Sequence, residues 1–223
     1  MAAQMQDPGE PFADRRDAGR QLAERLRHLA AEKPVVVALP RGGVPVAKEI
    51  ADALDAPLEI LAVRKLGAPF NPEYGIGAVA EDGTYVVDPD AVAVLRVSQD
   101  ELDAIVAEEV RELARQVRAF RGDRAPLDLE GRTVIVVDDG VATGLTDTAA
   151  LRAVRRRRPG RVVLAVPVCA ADTLERLRAE ADDVVCLRAP QLLRSVSQWY
   201  RDFSQVSDEE VLHDLRLRAD AAA

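Results

Sequence analysis

Two adjacent carboxylates, Asp138 and Asp139, come directly after the apolar run Thr133–Val137. The next seven residues, 140–146, include two glycines and two threonines and lead into a predicted helix. Unpaired N–H groups at a helix N-terminus carry partial positive charge, so they can bind a phosphate, and Gly144 permits its close approach. The carboxylates would repel a phosphate, but they can accept hydrogen bonds from vicinal hydroxyls beside it. The segment therefore predicts a sugar-phosphate site.

The same segment resembles the signature of the type I phosphoribosyltransferases, which is an apolar strand, two acidic residues, a few mostly apolar residues and Thr-Gly-x-Thr. The resemblance implies an enzyme that uses 5-phosphoribosyl 1-pyrophosphate (PRPP), with Mg²⁺ bound mainly through PRPP and no metal site of the protein's own. It implies that Asp138 and Asp139 bind the ribose hydroxyls and are catalytic, with Asp139 as the candidate base. The implied PRPP-binding loop is Gly140, Val141, Ala142, Thr143, Gly144, Leu145 and Thr146, of which the last five wrap the 5-phosphate.

Gly140 departs from the family pattern, in which larger aliphatic residues are common after the acidic pair. Two other phosphate motifs are excluded, because neither Gly-Lys-Ser/Thr nor Gly-x-Gly-x-x-Gly is present here. The alternative is structural: Thr143 or Thr146 simply caps a helix after a buried strand, and the acidic pair lies at a sheet edge.

A second glycine-containing loop, at residues 40–43, follows the first predicted strand and precedes a helix. Arg41 supplies positive charge, and the N–H groups of Gly42 and Gly43 can form an anion-binding concavity. The family places its pyrophosphate loop at this point, so the resemblance implies that these three residues bind pyrophosphate, often beside a non-proline cis peptide bond. A tight turn would explain the glycines equally well.

Two cations, Arg64 and Lys65, end the second predicted strand and resemble the Arg-Lys-x-Gly stretch of adenine-type members of the family. The resemblance implies that both contact the pyrophosphate, with Lys65 as a catalytic candidate. The alternative is a solvated strand end. Residues 64–77 are rich in glycine and proline, so we expect a loop long enough to serve as a lid. Beyond it, Asp82-Gly83 predicts a hairpin turn.

Aromatic residues form only 4% of the chain, yet Trp199, Tyr200 and Phe203 cluster near its C-terminal end. The family places a hood here that covers the acceptor base. The resemblance therefore implies that Trp199 and Tyr200 bind the acceptor, since aromatic rings stack on nucleobases. Anchoring of the core or of a dimer interface is the alternative.

The elements that position these residues alternate between apolar strands and amphipathic helices. Strands are predicted at residues 35–39, 58–63, 133–137, 161–168 and 184–187, and helices at 14–32, 44–54, 98–120, 146–158 and 172–181. This order predicts a three-layer α/β fold with a mostly parallel sheet and a C-terminal hood. We expect a disordered leader at 1–11, one domain at 12–217 with its hood at 189–206, and a disordered tail at 218–223.

The resemblance covers residues 12–215 and is closest to bacterial phosphoribosyltransferases of unassigned acceptor. Its segments are Leu-Pro-Arg-Gly-Gly, Val-Arg-Lys-Leu-Gly, Asp-Asp-Gly-x-Ala-Thr-Gly and Trp-Tyr-x-Asp-Phe. It implies Mg²⁺-dependent transfer of the 5-phosphoribosyl group to a small nitrogenous acceptor, such as a nucleobase, in nucleotide metabolism. One alternative is a PRPP-sensing regulator without catalysis. Another is a receiver-like domain with Asp138 as phospho-acceptor, which leaves the Thr-Gly-x-Thr loop unexplained.

Composition limits the partners of the chain. With 223 residues and a formal net charge of -8, it lacks the basic balance expected for broad nucleic-acid binding. A local site for a small anion remains compatible with that charge. No long apolar segment or secretory leader is visible, so we expect no membrane association and a cytoplasmic location. The long helix predicted at 98–120 offers a surface for a homodimer.

Overall fold

The computed structural model describes residues 10–122 and 124–221, apart from the side chains of residue 73 and residues 217–221. Over these residues the strands are β1 Val35–Ala38, β2 Leu58–Ile60, β3 Val63–Ala68, β4 Asn71–Ala80, β5 Tyr85–Val87, β6 Thr133–Val137, β7 Arg161–Val168 and β8 Asp183–Arg188. The α-helices are α1 Arg15–Leu26, α2 Gly43–Ala53, α3 Pro89–Leu95, α4 Gln99–Arg121, α5 Leu145–Arg156, α6 Ala171–Leu177 and α7 Asp208–Ala221.

The central sheet has five parallel strands in the order β2-β1-β6-β7-β8. Its strands alternate between two cores. On β6, Ile135 and Val137 face the core formed with α1, α2 and α7, whereas Val134 and Val136 face the core formed with α5 and α6. Burial on both faces explains why these strands are continuous apolar runs. The predicted three-layer α/β fold is confirmed.

The strand order changes direction between β1 and β6. From β1 the chain proceeds through α2 to β2 on one side, and from β6 it proceeds through α5 to β7 on the other. Ligands of open α/β sheets bind beyond the carboxyl ends of the strands at such a reversal. The fold therefore places the ends of β1 and β6 at its preferred binding position.

A second sheet of three antiparallel strands, β3-β4-β5, corrects the loop expected at residues 64–77. Most of that stretch is β-hairpin, because two of its glycines allow close cross-strand contact instead of forming turns. A Cβ at Gly67 would lie 2.7 Å from Pro72 Cα, and a Cβ at Gly77 would collide with the Val86 carbonyl. The hairpin predicted around Asp82-Gly83 is confirmed, with Gly83 at φ +82°.

Two predicted helices have clear boundaries. Helix α1 begins after Asp14, whose side chain accepts a hydrogen bond from the Asp17 N–H, but it ends at Leu26 and continues as a 3-10 helix to Glu32. Helix α4 is capped by Ser98 and packs its apolar stripe on the second sheet. Much of the surface that the sequence offers for a homodimer is therefore used within the chain.

The C-terminal helix α7 packs against α2 and β2. It extends to Ala221, so residues 218–221 are helical, in contrast to the disordered tail expected there. Residues 222–223 and residues 1–9 of the expected leader lie outside the described residues. Among the described helices, none has the length and apolar character needed to cross a membrane.

A buried ion network joins the second sheet to the first. Arg121, at the end of α4, is 8% exposed and contacts Glu59 of β2 at 3.3 Å and Glu81, just after β4, at 3.0 Å. It also donates to the Ile60 carbonyl at 3.0 Å. Removing this one cation would leave two enclosed carboxylates without their counter-charge.

We therefore expect Arg121→Met to lower the free energy of unfolding by about 3 kcal/mol, because breaking a buried ion pair strands its partner. Urea denaturation measures the change. Arg115→Met is the matched control, since Arg115 forms an exposed pair with Glu112 on the same helix and should change stability little. Equal losses in the two variants would contradict this role of Arg121.

Candidate functional site

The loops after β1 and β6 lie side by side. Ala38 pairs with Val137 in the sheet, and the Leu39 N–H donates to the Val137 carbonyl at 2.9 Å. The loop that contains Arg41 therefore lies directly beside the acidic pair. The peptide bond between Pro40 and Arg41 is cis, the isomer that the family resemblance implies at this position.

Two glycines allow these loops to touch. A Cβ at Gly42 would lie 2.6 Å from Asp139 Cγ and would collide with its Oδ2 atom. A Cβ at Gly43 would lie 2.6 Å from the Val137 carbonyl oxygen. Distances this short are not tolerated by real side chains, so a tight turn alone does not account for the glycines. The two segments, which were predicted separately, therefore lie in contact with each other.

The acidic pair is buried and electrostatically coupled. Burial, together with the charges of Asp139 and Asp147, raises the pKa of Asp138 well above its usual range. Burial also raises the pKa of Asp139, but the Arg15 guanidinium opposes this shift from 2.7 Å. The Asp139 N–H donates to Asp138 Oδ1 at 2.8 Å, which fixes one carboxylate against the next residue's backbone. The site thus holds two neighbouring carboxylates of unequal environment.

Asp147 adds a third carboxylate that sequence reasoning missed. It lies in the first turn of α5, is 2% exposed, and its Oδ1 atom has no hydrogen-bond partner among the described residues. Burial, with a smaller contribution from Asp139, raises the pKa of Asp147 to about 7. An acidic residue in a helix sequence carries no signal of burial, so only the structure reveals this cluster.

The loop between β6 and α5 is held by its carbonyl groups. The Ala170 N–H donates to the Val141 carbonyl at 3.1 Å, and Thr173 Oγ1 donates to the Ala142 carbonyl at 2.8 Å. Arg176 donates to the Thr143 carbonyl at 3.2 Å. Thr173 and Arg176 of α6 were not predicted, because such a contact between distant segments leaves no local pattern.

The N–H groups of the same loop differ from its carbonyl groups in having no partners among the described residues. Within the described part of the chain, the N–H groups of residues 142–146 donate no hydrogen bond. Gly144 is the N-cap of α5 at φ +76°, and no side chain caps this helix. The alternative that Thr143 or Thr146 serves as the cap is therefore wrong. These N–H groups and hydroxyls have the donor chemistry that a phosphate requires.

The two cations after β2 separate onto opposite faces. Arg64 pairs with Glu109 of α4, so its side chain lies on the face of β3 that packs on α4, and its contact with pyrophosphate stays a prediction. Val63 packs in the core formed with α5, and strand alternation places Lys65 on that same face. Arg41 is exposed in its loop, and its guanidinium lies 3.5 Å from Asp208 at the start of α7.

The aromatic cluster forms part of the hood's own core. Tyr200 is 6% exposed and packs against Phe12 and Phe203, with ring centroids 5.4 Å and 5.0 Å away. Its hydroxyl donates to the Asp139 carbonyl at 2.5 Å. Tyr200 is therefore an anchor of the hood, not the exposed stacking surface expected for an acceptor. Trp199 is half-buried beside it.

Gly140, the departure from the family pattern, meets the hood directly. A Cβ at this position would collide with Val196 of the hood and would lie 3.0 Å from Val168 Cγ1. A larger aliphatic residue would therefore displace the hood segment. The glycine and the hood sequence fit each other in this chain.

The contact between Gly42 and Asp139 generates a test. Gly42→Ala should lower the free energy of unfolding by about 1–3 kcal/mol, because the added methyl overlaps the carboxylate. In an Asp139→Ala background the same substitution should cost less, since the colliding group is gone. A double-mutant cycle measured by urea denaturation gives the coupling. An equal cost in both backgrounds would show that the strain lies elsewhere.

Comparison with known proteins identifies related chains. Two Mycobacterium tuberculosis proteins, from strains CDC 1551 and H37Rv, each named "Putative phosphoribosyl transferase", are 48% identical to it over 201 residues. The alignment covers 90% of this chain but 45% of each relative, so the chain spans less than half of their length. The crystal structure of TT1426 from Thermus thermophilus matches with a TM-score of 0.78 and 45% identity, covering 92% of this chain and 97% of that one.

A family model supplies the broader assignment. The model described as the phosphoribosyl transferase domain matches residues 13–199, a range that begins just before α1 and ends within the hood. That range includes the glycine loop, the acidic pair and the loop before α5. With most of its length matched, the chain belongs to the phosphoribosyl transferase domain family.

Proposed function

We propose that this domain binds PRPP and transfers its 5-phosphoribosyl group to a small nitrogenous acceptor, with release of pyrophosphate. The observation that carries the proposal is one juxtaposition. Backbone N–H groups at 142–146, without partners in the described structure, follow a buried acidic pair that lies against the glycine loop after β1. Family membership supports phosphoribosyl transfer in general.

Each part of PRPP has a matching group in the site. The N–H groups of 142–146, with the hydroxyls of Thr143 and Thr146, suit the 5-phosphate. Asp138 and Asp139 suit the ribose hydroxyls. We assign the pyrophosphate to a third set of residues, Arg41, Gly42, Gly43 and Lys65. Phosphate groups thus meet N–H groups and cations, while the carboxylates meet hydroxyl donors.

The donor groups present fit a magnesium ion carried mainly by PRPP. Among the described residues no group of three or more His, Cys, Asp or Glu side chains is arranged to hold a metal ion by itself, and Asp138 and Asp139 lie beside the proposed ribose position. Mg²⁺ commonly binds through one or two carboxylates together with substrate phosphates. When bound, the ion would reduce the negative charge of the pyrophosphate.

The reaction requires a nitrogen of the acceptor to attack the anomeric carbon of PRPP. A carbon–nitrogen bond forms, the carbon–oxygen bond to pyrophosphate breaks, and the proton of the nitrogen passes to a base. We assign Asp139 as the candidate base, since its pairing with Arg15 favours the ionised form that can accept a proton. We assign to Lys65 the stabilisation of the negative charge that develops on the leaving pyrophosphate. The rest of the site holds the reactants in position.

The acceptor is proposed to be a nucleobase covered by the hood. The buried position of Tyr200 leaves the half-buried Trp199 as the aromatic candidate for contact with it. A PRPP sensor without catalysis is the alternative function, and it would use the same donor groups. Cytoplasmic location, a homodimer and the absence of nucleic-acid partners stay predictions of the sequence.

A direct assay separates an enzyme from a sensor. The protein is incubated with PRPP, Mg²⁺ and single nucleobases, orotate included, and pyrophosphate release is followed. We expect pyrophosphate release with at least one nucleobase. The rate of release should fall about 100-fold or more in Asp139→Asn, because the carboxylate proposed to accept the proton and to bind a ribose hydroxyl is lost. Asp183→Asn, at the far end of the sheet, is the control and should retain activity. PRPP binding without release across the panel would favour the sensor.

A second experiment assigns the loop before α5. Thr146→Val should weaken binding of ribose 5-phosphate about tenfold, because a hydrogen bond to a charged group is removed. Binding of pyrophosphate alone should not change, since that group is assigned to the loop after β1. Calorimetric titration measures both ligands, with Thr133→Val at the opposite end of β6 as control. Equal losses for both ligands would contradict the division of the site.

A further inference from the structure

Arg15, the first residue of α1, reaches the acidic pair from outside the loops described above. Its Nε atom lies 2.7 Å from Asp139 Oδ2, and its Nη1 donates to the Ser204 carbonyl at 2.8 Å. Its Cζ atom lies 3.8 Å from the centroid of the Phe203 ring. The side chain is 10% exposed. Three separate contacts therefore fix one buried guanidinium beside a proposed substrate ligand.

The surroundings of Asp139 make this cation important. Asp138 adjoins it on the chain, the charge of Asp139 contributes to the raised pKa of Asp147 in α5, and the Tyr200 hydroxyl donates to the Asp139 carbonyl. Arg15 provides the salt bridge to this pair among the described residues. Burial opposes ionisation of Asp139 and raises its pKa, and Arg15 counteracts that shift through its charge and a direct hydrogen bond.

The two carboxylate oxygens of Asp139 differ in their side-chain contacts. Arg15 bonds to Oδ2, whereas Oδ1 accepts no side-chain hydrogen bond from the described residues. Gly42 lies against the same Oδ2 atom and restricts the carboxylate from the other side. A carboxylate held in this way can meet a hydroxyl without first being ordered, which favours binding.

Arg15 also connects the hood to Asp139, the residue proposed to bind the ribose of PRPP. Ser204 and Phe203 follow Tyr200 in the hood, and all three contact either Arg15 or Asp139. The hood is thereby attached both to the Asp139 backbone, through Tyr200, and to its carboxylate, through Arg15. A shift of the hood would disturb the orientation of the carboxylate.

We propose that Arg15 is a positioning residue for phosphoribosyl transfer, which holds Asp139 oriented and charge-balanced for the ribose hydroxyls and links it to the hood. This inference rests on the proposed function. It assigns a role in substrate binding to a residue that lies far from the motif segments in sequence. The opposite role is an autoinhibitory contact, in which Arg15 blocks Asp139 and must leave before PRPP binds.

The test compares PRPP binding and turnover across pH in the full chain and in variants of two arginines on α1. Arg15→Gln should weaken PRPP binding about tenfold or more, because Asp139 loses a charge-assisted hydrogen bond. Arg15→Lys should restore part of the affinity, since it keeps the charge but not the planar fork. Arg20→Gln, which removes an exposed arginine from the same helix, should bind as the unmodified chain does.

The pH profile separates positioning from mere structural support. Without Arg15 the pKa of Asp139 rises, so the ionised carboxylate is lost at a higher pH as the solution is acidified. The acid limb of PRPP binding should therefore move to higher pH in Arg15→Gln and return toward its original position in Arg15→Lys. A variant that only loosened the fold would weaken binding at every pH without moving this limb.

The possible failures are distinguishable. If the unmodified chain shows no saturable PRPP binding, the proposed function fails, whatever Arg15 does. If the unmodified chain binds PRPP and Arg15→Gln binds equally well with an unmoved acid limb, the positioning role is overturned. Tighter binding by Arg15→Gln would also overturn it and would assign Arg15 to autoinhibition. If Arg15→Gln does not fold, the PRPP affinity and the acid limb of its pH profile are measured in Arg15→Lys instead. If both are unchanged in that variant, the inference is overturned.

Discussion

The parallel pairing of β1 with β6 is the contact on which the site depends. It places the end of one strand, with its glycine loop, directly against the carboxylates that end the other. The available space excludes any side chain at Gly42, because Asp139 occupies it. Since strand order also reverses between these two strands, helices leave the sheet on opposite faces and open a crevice at this edge. Neither loop would form the site alone.

The central sheet could be predicted from the sequence because its strands are buried on both faces. Such strands must be apolar at every position, and β6 and β7 have the bounds that their apolar runs indicate. The hairpin β3–β4 could not be predicted in the same way. Its glycines and prolines are also typical of loops, and only the partner strand shows that Gly67 and Gly77 serve close pairing.

In the candidate site, likewise, residues of one continuous segment could be predicted from the sequence, whereas contacts between distant segments could not. Asp138, Asp139 and the loop before α5 form one continuous segment, so their types and order already predict the chemistry. Arg15 is more than 100 positions away from Asp139, and no spacing in the sequence links them. Arg64 shows the opposite problem: it lies next to Lys65 in sequence, but alternation along a strand sends the two side chains to different faces.

The loop before α5 is fixed through its carbonyl groups, while its N–H groups remain available. A ligand bound by these main-chain groups would depend less on the identity of several loop side chains than on the path of the backbone. Substitution of exposed Ala142 or half-buried Leu145 would therefore leave these N–H groups in place. Gly144 and Thr173 are constrained more strongly, because a Cβ at Gly144 would lie 2.6 Å from Thr173 Cγ2. The feature of this loop that has to be preserved is thus the shape of its backbone.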